Sequence, residues 1–436
     1  MRNDQKLRHM RLAGILRTVV VVFVVITSAY ANSVRTQSSK VKTVHASSDE
    51  PLWRVDLQSV GFPANELALQ SRRNPDVFRT IDFLSEDVVA ATFITRVLEP
   101  DLPKRDDPNR PRRDLLHAIF LDAATGKVLK TIDWPTDDAG AGIFPRYDGS
   151  FLFFSKEHIV LYSPEWTPVK EFLLPQLQTP HIALTGIAQS PSGRALELRI
   201  EDERSVVCVR IQTFTLEGVQ EPCITRLGRF SISDDAIAQA DLEDLIKLLE
   251  ARKSANGPVT IPSNSSAPFK GKIMIREMGA DARLLCDPNH ISSCSNPQFI
   301  DNQSVVVYGM TGLSLLTRRG ESNDQHFEKV FTSDHTWVDI GGGMIRPSSN
   351  GQRFAAVFDE PPGNINPSAG RFSLILTPDH IDVYDVPEGG YVFTLKNKKK
   401  QFKEIYGLAL APSGEKLAVD SGGVIQMYAL PPRKDN

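Results

Sequence analysis

From Trp53 onward, apolar residues gather in short runs rich in Val, Ile, Leu, Phe and Thr, broken by Asp-Gly, Ser-Gly, Thr-Gly and Pro-containing turns. Runs of this length, with β-branched and aromatic residues and almost no helical period, predict strands, and turn signals between them predict antiparallel hairpins. The expected fold class is all-β, built from meanders.

The runs also resemble one another. The segments Phe144-Pro-Arg-Tyr-Asp-Gly-Ser-Phe-Leu, Ile187-Ala-Gln-Ser-Pro-Ser-Gly-Arg-Ala-Leu, Ile345-Arg-Pro-Ser-Ser-Asn-Gly-Gln-Arg-Phe and Leu408-Ala-Leu-Ala-Pro-Ser-Gly-Glu-Lys-Leu share an apolar start, a polar spacer, a turn glycine and an apolar strand. Weaker copies lie at Ile81, Phe230 and Phe299, so copies start at residues 81, 144, 187, 230, 299, 345 and 406. Glycine at the turn supplies positive φ, and a following strand that is apolar on both faces must be covered on both. A four-stranded sheet sandwiched between two neighbours meets that demand. The pattern predicts a β-propeller, most simply seven-bladed, with unequal spacing absorbed by insertions.

Three insertions can be located. Asp101 to Asp114, crowded with Pro, Arg and Asp, reads as an exposed loop, and Pro361 to Gly370 as a second. Leu242, Leu245, Ile246 and Leu249 recur at helical spacing, so one inserted helix is expected near residues 234–253, capped by Ser233 or Asp234 and stopped by Gly257-Pro258. Its apolar stripe is expected to pack on a blade flank.

The N-terminus is a different kind of sequence. Arg2, Lys6, Arg8, Arg11 and Arg17 accompany an apolar run from Val19 to Ile26, followed by Ala29-Tyr30-Ala31. Basic flank, short apolar centre and A-x-A site read as a signal peptide over residues 1–31, the run being short of the ~20 residues a membrane span needs. Residues 32–51 read as a flexible lead-in and 52–432 as the propeller domain. Export to the periplasm or beyond is expected, with no membrane partner after cleavage. The net charge is −3 overall, and the leader carries five of the basic residues against one acid, Asp4, which leaves −7 on the remainder. A mildly acidic protein lacks the basic face that nucleic acid requires. The one dense basic stretch, Lys396 to Lys400, reads as a solvated hairpin tip.

Four cysteines, Cys208, Cys223, Cys286 and Cys294, remain after export, and an even count in an oxidising compartment predicts disulfides. Three pairings are open; proximity favours Cys208 with Cys223 and Cys286 with Cys294. Neither spacing suits a redox or zinc motif.

At Ala411-Pro-Ser-Gly-Glu-Lys-Leu-Ala-Val and Asp122-Ala-Ala-Thr-Gly-Lys-Val-Leu the chain resembles the exported bacterial β-propeller proteins of the WD40-like, YVTN and quinoprotein-like repeat group. The Asp122 to Lys127 segment is similar to the docking motif of quinoprotein dehydrogenases, but it occurs once, without the repeated tryptophan or an adjacent Cys-Cys pair. No cofactor is expected.

The chain holds no zinc-binding His-Glu-x-x-His, nucleophile elbow, Walker loop, EF-hand or dinucleotide fingerprint. The remaining candidates are Asp334, His335 and Asp339, which stand with Trp337 before Gly341-Gly342-Gly343, where a histidine and two carboxylates could serve a metal or acid-base site. A blade-connecting loop whose Trp337 packs in the core is the favoured reading of them. Asp287 and His290 read as turn residues, Glu201, Asp202 and Glu203 as a charged hairpin tip. The leading expectation is a monomeric, non-catalytic binding or scaffold module for a protein, peptide or glycan. The alternative is a propeller-type enzyme, a lyase, lactonase, glycosidase or quinoprotein, with a site at the channel mouth.

Overall fold

The computed structural model describes residues 50–62, 81–96, 114–136, 141–155, 158–173, 183–201, 206–223, 230–241, 272–277, 280–286, 296–309, 312–320, 326–333, 345–359, 378–386, 389–397 and 405–433. These fall in one compact unit spanning residues 43–436. The signal peptide and most of the lead-in lie outside the described residues. Among those described, no helix is long and apolar enough to cross a membrane.

The described strands make seven antiparallel four-stranded sheets, and the molecule is a seven-bladed β-propeller. Six blades are consecutive meanders whose innermost strands are Ile81–Phe83, Gly142–Pro145, Ala183–Gln189, Phe230–Ile232, Asn296–Phe299 and Ile345–Pro347, numbered here blades 1 to 6. Blade 7 has Ile405–Leu410 innermost, then Lys416–Ser421 and Val424–Ala429, and its outer strand comes from the far end of the chain: Trp53–Asp56 pairs antiparallel with Val424–Ala429. All seven repeat starts read from the sequence fall in or beside these inner strands.

Burial explains why the second strand of each blade gave the clearest pattern. Phe151–Ser155 and Ala195–Glu201 are buried along nearly their whole length because each is covered by a blade on either side. Outer strands such as Val128–Thr136 and His326–Thr332 lie at the rim, where exposed positions break up the apolar pattern. Each of the seven blade junctions has its own apolar cluster. The largest join blades 6 and 7 and blades 7 and 1, while the junction of blades 3 and 4 is held by just Ala195, Ile232 and Ile237 among fully buried apolar residues.

Two sequence expectations need correction. The helix expected near residues 234–253 is not present over its first part: Ala236–Asp241 is the second strand of blade 4, paired to Phe230–Ile232 and to Lys272–Glu277. Ala236, Ile237, Ala238 and Gln239 are buried between two blades, and this two-sided burial overrides the helical period that follows. Ser233 closes a hairpin instead of capping a helix, accepting from Ala236 N at 2.9 Å. Leu242, Leu245, Ile246 and Leu249 lie outside the described residues. The basic stretch at Lys396 is not a hairpin tip either, since Gly390–Lys396 ends blade 6 and Ile405–Leu410 opens blade 7.

One anchor at the ring closure is Trp53. Trp53 Nε1 donates to Ala123 O at 3.0 Å, and its ring lies against Gly126 in the third-to-fourth strand turn of blade 1. That turn is the Asp122 to Lys127 segment that resembled a cofactor-docking motif. Asp122 Oδ1 accepts from Ala124 N, Thr125 N and Thr125 Oγ1, and these bonds, that of the Thr125 hydroxyl above all, hold its carboxyl below the usual range. Gly126 has φ +72°, and a Cβ there would stand 2.7 Å from the Trp53 ring. Gly126→Ala is therefore expected to lower stability by about 2 kcal/mol through strain and displacement of Trp53. Denaturant unfolding with tryptophan emission measures both, and an unchanged midpoint contradicts the anchor.

Candidate functional site

One face of the ring is built from the turns between first and second strands, and this is where the sequence repeats lie. The four strong copies place Gly149, Gly193, Gly351 and Gly414 at φ between +69° and +91°, as their pattern predicts. In the weak copies the turns carry Glu86, Asp234 and Asn302, side chains that can accept hydrogen bonds from a neighbouring turn.

They do so around most of the ring. Gly149 N donates to Leu84 O at 2.9 Å, joining blades 2 and 1, and Gln189 Nε2 to Pro145 O at 2.6 Å, joining 3 and 2. Ser192 Oγ donates to Asp234 Oδ1 at 2.5 Å and Asp234 N to Asn302 Oδ1 at 3.0 Å, tying blades 3, 4 and 5. Asn350 Nδ2 donates to Ser413 O at 3.2 Å, and Ser413 binds the Glu86 carboxylate through its amide and hydroxyl, which joins blades 6, 7 and 1.

Long cations reinforce three junctions. Arg210, 1 % exposed, donates to Ser233 O, Asp234 O and Ala236 O of blade 4 at 3.1 to 3.3 Å and pairs with buried Glu197 at 3.5 Å. At the same junction the Arg199 guanidinium stacks 4.3 Å from the Phe230 ring, and burial lowers its pKa despite the charges of Glu197 and Glu201. These polar contacts stand where the apolar cluster is smallest. Arg353 donates from Nε to Asp385 Oδ1 at 2.7 Å and from Nη1 to Gly414 O and Pro431 O in blade 7. Lys416 Nζ donates to Glu86 O in blade 1 at 2.9 Å.

The junction of blades 5 and 6 differs. Among the described residues no hydrogen bond links its two turns, and a cleft of about 270 Å³ opens there. Asp301, Ser304 and Thr317 line it from blade 5, Asn350, Gly351 and Gln352 from blade 6. The turns nearly touch at its base, where a Cβ on Gly351 would lie 2.6 Å from Asp301 Cβ. Burial raises the Asp301 carboxyl above its ordinary range, against bonds from Gln303 and Ser304 and the Arg318 charge. The cleft offers the Asp301 carboxylate, the Arg319 guanidinium and several hydroxyl and amide groups, with Val386 its one apolar side chain among the described residues. That lining suits a group able to hydrogen-bond.

His380 and Asp420 are two further buried groups with raised pKa values. Asp382, fully buried on the third strand of blade 6, accepts from Thr394 Oγ1 at 2.6 Å and Tyr384 OH at 3.1 Å, and faces His380 Nε2 at 3.4 Å. Burial pulls the His380 pKa down, but bonds to and charges on Asp382 and Asp379 outweigh it, and the pKa is raised. Asp420, 1 % exposed in blade 7, has its pKa pushed up to about 7 by burial, the Gly423 amide opposing without reaching hydrogen-bond geometry.

Cys208 and Cys223 form a disulfide with Cα atoms 5.3 Å apart, stapling the third strand of blade 3 to the end of its outer strand. Cys286 is also disulfide-bonded, and Cys294 lies outside the described residues. So do Asp334, His335, Trp337 and Asp339, together with Asp287, His290, Asp202 and Glu203. Among the described residues no three His, Cys, Asp or Glu side chains are grouped to hold a metal. The sequence pointed to none of the cleft residues as a site, because Ser304 and Thr317 matter through their smallness, which only the register of neighbouring blades reveals.

Two outcomes follow from these charges. Arg210→Leu leaves Glu197 buried without its guanidinium and is expected to cost about 3–5 kcal/mol by denaturant unfolding; a loss under about 1 kcal/mol contradicts the junction's polar character. The raised Asp420 adds no penalty below about pH 4, and ionisation destabilises the fold progressively up to about pH 7. The raised His380 contributes fully below about pH 6.5 and loses its contribution as pH rises through its folded value. Both signs predict a lower thermal midpoint at pH 8 than at pH 6, with the decline reduced in Asp420→Asn. An identical decline in that variant refutes the Asp420 assignment.

No family model matches the chain, and no curated protein matches it in sequence. Solved structures do. A crystal structure of a mitotic checkpoint complex contains a chain with 8 % identity and TM-score 0.48, covering 91 % of this chain and all of that one. An uncharacterized protein from Listeria monocytogenes EGD-e has 11 % identity and TM-score 0.44, over 82 % of this chain and 95 % of that one. The Dos1 propeller has 9 % identity and TM-score 0.45, over 87 % and 95 %.

Proposed function

We propose that the protein is an exported, non-catalytic scaffold that presents the face built from its first-to-second strand turns to a protein, peptide or glycan. The observation that carries this reading is the hydrogen-bond chain linking the turns across six of the seven junctions. A surface fixed before contact loses little conformational entropy on binding, which favours recognition by shape and charge. Export is supported by the Cys208–Cys223 disulfide, a bond that persists in oxidising compartments, together with the basic-apolar leader. The acidic balance after cleavage supports a partner that is not nucleic acid.

Asp87, Arg194 and Glu415 are exposed on the turn face, while Lys130 and Lys170 are exposed on outer strands. Immobilised chain starting at residue 32 is expected to capture a defined exported partner. The triple change Asp87→Lys, Arg194→Glu and Glu415→Lys is expected to reduce capture at least tenfold with the thermal midpoint unchanged. Loss of capture on changing Lys130 and Lys170 to Glu, with the turn-face variant still binding, overturns the face assignment.

A further inference from the structure

The cleft between blades 5 and 6 occupies a place that the protein fills with its own cation one blade further on. In each blade, the first residue of the turn donates its amide to the carbonyl of the residue that opens the second strand. These pairs are Ser348 to Arg353 in blade 6, Ala411 to Lys416 in blade 7 and Ile300 to Ser304 in blade 5. Arg353, Lys416 and Ser304 are therefore equivalent. The cross-strand partner of Arg353 is Asp385, and that of Ser304 is Thr317. Where blade 6 sends a guanidinium, held by Asp385, onto the Gly414 carbonyl of blade 7, blade 5 offers two short hydroxyls. The next blade's turn glycine, Gly351, lines the resulting space.

Among the described residues around that space Asp301 is the one carboxylate. Asp301 lies against the Gly351 turn, where it accepts from Gln303 N at 2.7 Å and from Ser304, and the Arg318 charge also acts on it. Arg318 pairs with Glu277 at 3.4 Å and Asp235 at 3.6 Å, both of blade 4. Arg319, on the cleft's outer lip and more than half exposed, faces Glu328 at 3.9 Å. A volume of about 270 Å³ admits one long side chain and little more.

We propose that this cleft receives an arginine side chain from a partner protein, whose guanidinium takes the position that Arg353 takes at the next junction, with Asp301 as counter-ion and the hydroxyls of Ser304 and Thr317 beside its stem. Guanidinium is the group expected because its planar fork can reach a carboxylate and a backbone carbonyl at once, as Arg353 does with Asp385 and Gly414. The inference rests on the turn face being the binding surface and names what that face recognises.

The test titrates the full chain with the peptide acetyl-Gly-Arg-Gly-amide and with its citrulline counterpart, which keeps the shape and removes the charge. Chemical shifts of backbone amides at residues 301–304 and 350–352 report occupancy. The arginine peptide is expected to bind at millimolar concentration and at least about tenfold more tightly than the citrulline peptide, since a charge-assisted bond is lost. Asp301→Asn is expected to weaken it by a similar factor. Independently of that variant's folding, the double change Ser304→Arg and Thr317→Asp is expected to raise the thermal midpoint and abolish peptide binding, because the protein then fills its own cleft. Equal affinity for the two peptides, or no shift by about 10 mM, overturns the proposal. If the peptides fail while turn-face substitutions still abolish partner capture, only the arginine assignment falls; if capture is also indifferent to the turn face, the scaffold reading falls with it.

Discussion

The burial of one flat sheet against the next is the constraint from which the rest of the structure follows. A four-stranded sheet whose second strand is apolar on both faces, such as the blade containing Phe151–Ser155, cannot be stable alone. It needs a cover on each side, and so does its cover, until the series returns to its start. Closure is then required: the first and last blades must bury each other, and the pairing of Trp53–Asp56 with Val424–Ala429 ties them through the chain's two ends. Trp53–Asp56 thereby covers the edge of Val424–Ala429 and completes blade 7 as its outermost strand.

Junctions need not be chemically alike for the ring to hold. Between blades 6 and 7 a large apolar cluster is joined by the Arg353 clasp, whereas between blades 3 and 4 buried Arg210, Glu197 and Arg199 replace most of the apolar area. Buried ion pairs gain little net energy compared with apolar contacts but impose strict geometry, because each donor has specific acceptors. Here those acceptors are the backbone carbonyls of the next turn, so the same residues that fill a junction also set the contour of the turn face. Stability and surface shape are thus linked, and an unfilled junction becomes a cleft.

Much of the architecture was legible in the sequence because its two strongest signals coincide. Turn glycines at positive φ, as at Gly193 and Gly414, stand directly before strands buried on both faces, so each blade announces its innermost hairpin. The outer strands are half-exposed and vary accordingly. Trp53–Asp56 could be seen as the start of folded structure, but its partner lies at the other end of the chain and no local pattern reveals it. The misread helix has a comparable cause: Ala236–Asp241 has few bulky residues of its own, and the helical spacing just beyond it dominated the window, while the covering blades that decide its conformation are distant in sequence. The cleft was illegible for a further reason. Ser304 and Thr317 are unremarkable residues until aligned with Arg353 and Asp385.

The most direct measurement of the central claim, a ring closed by its two terminal strands, is a cross-link between register partners Arg54 and Gln426. Replacing both with cysteine and oxidising the folded chain should give a new intramolecular disulfide in near-quantitative yield, with an unchanged far-ultraviolet spectrum and a higher unfolding midpoint. Cysteines that remain reactive to alkylation under native conditions, or that link different molecules instead, would contradict the account.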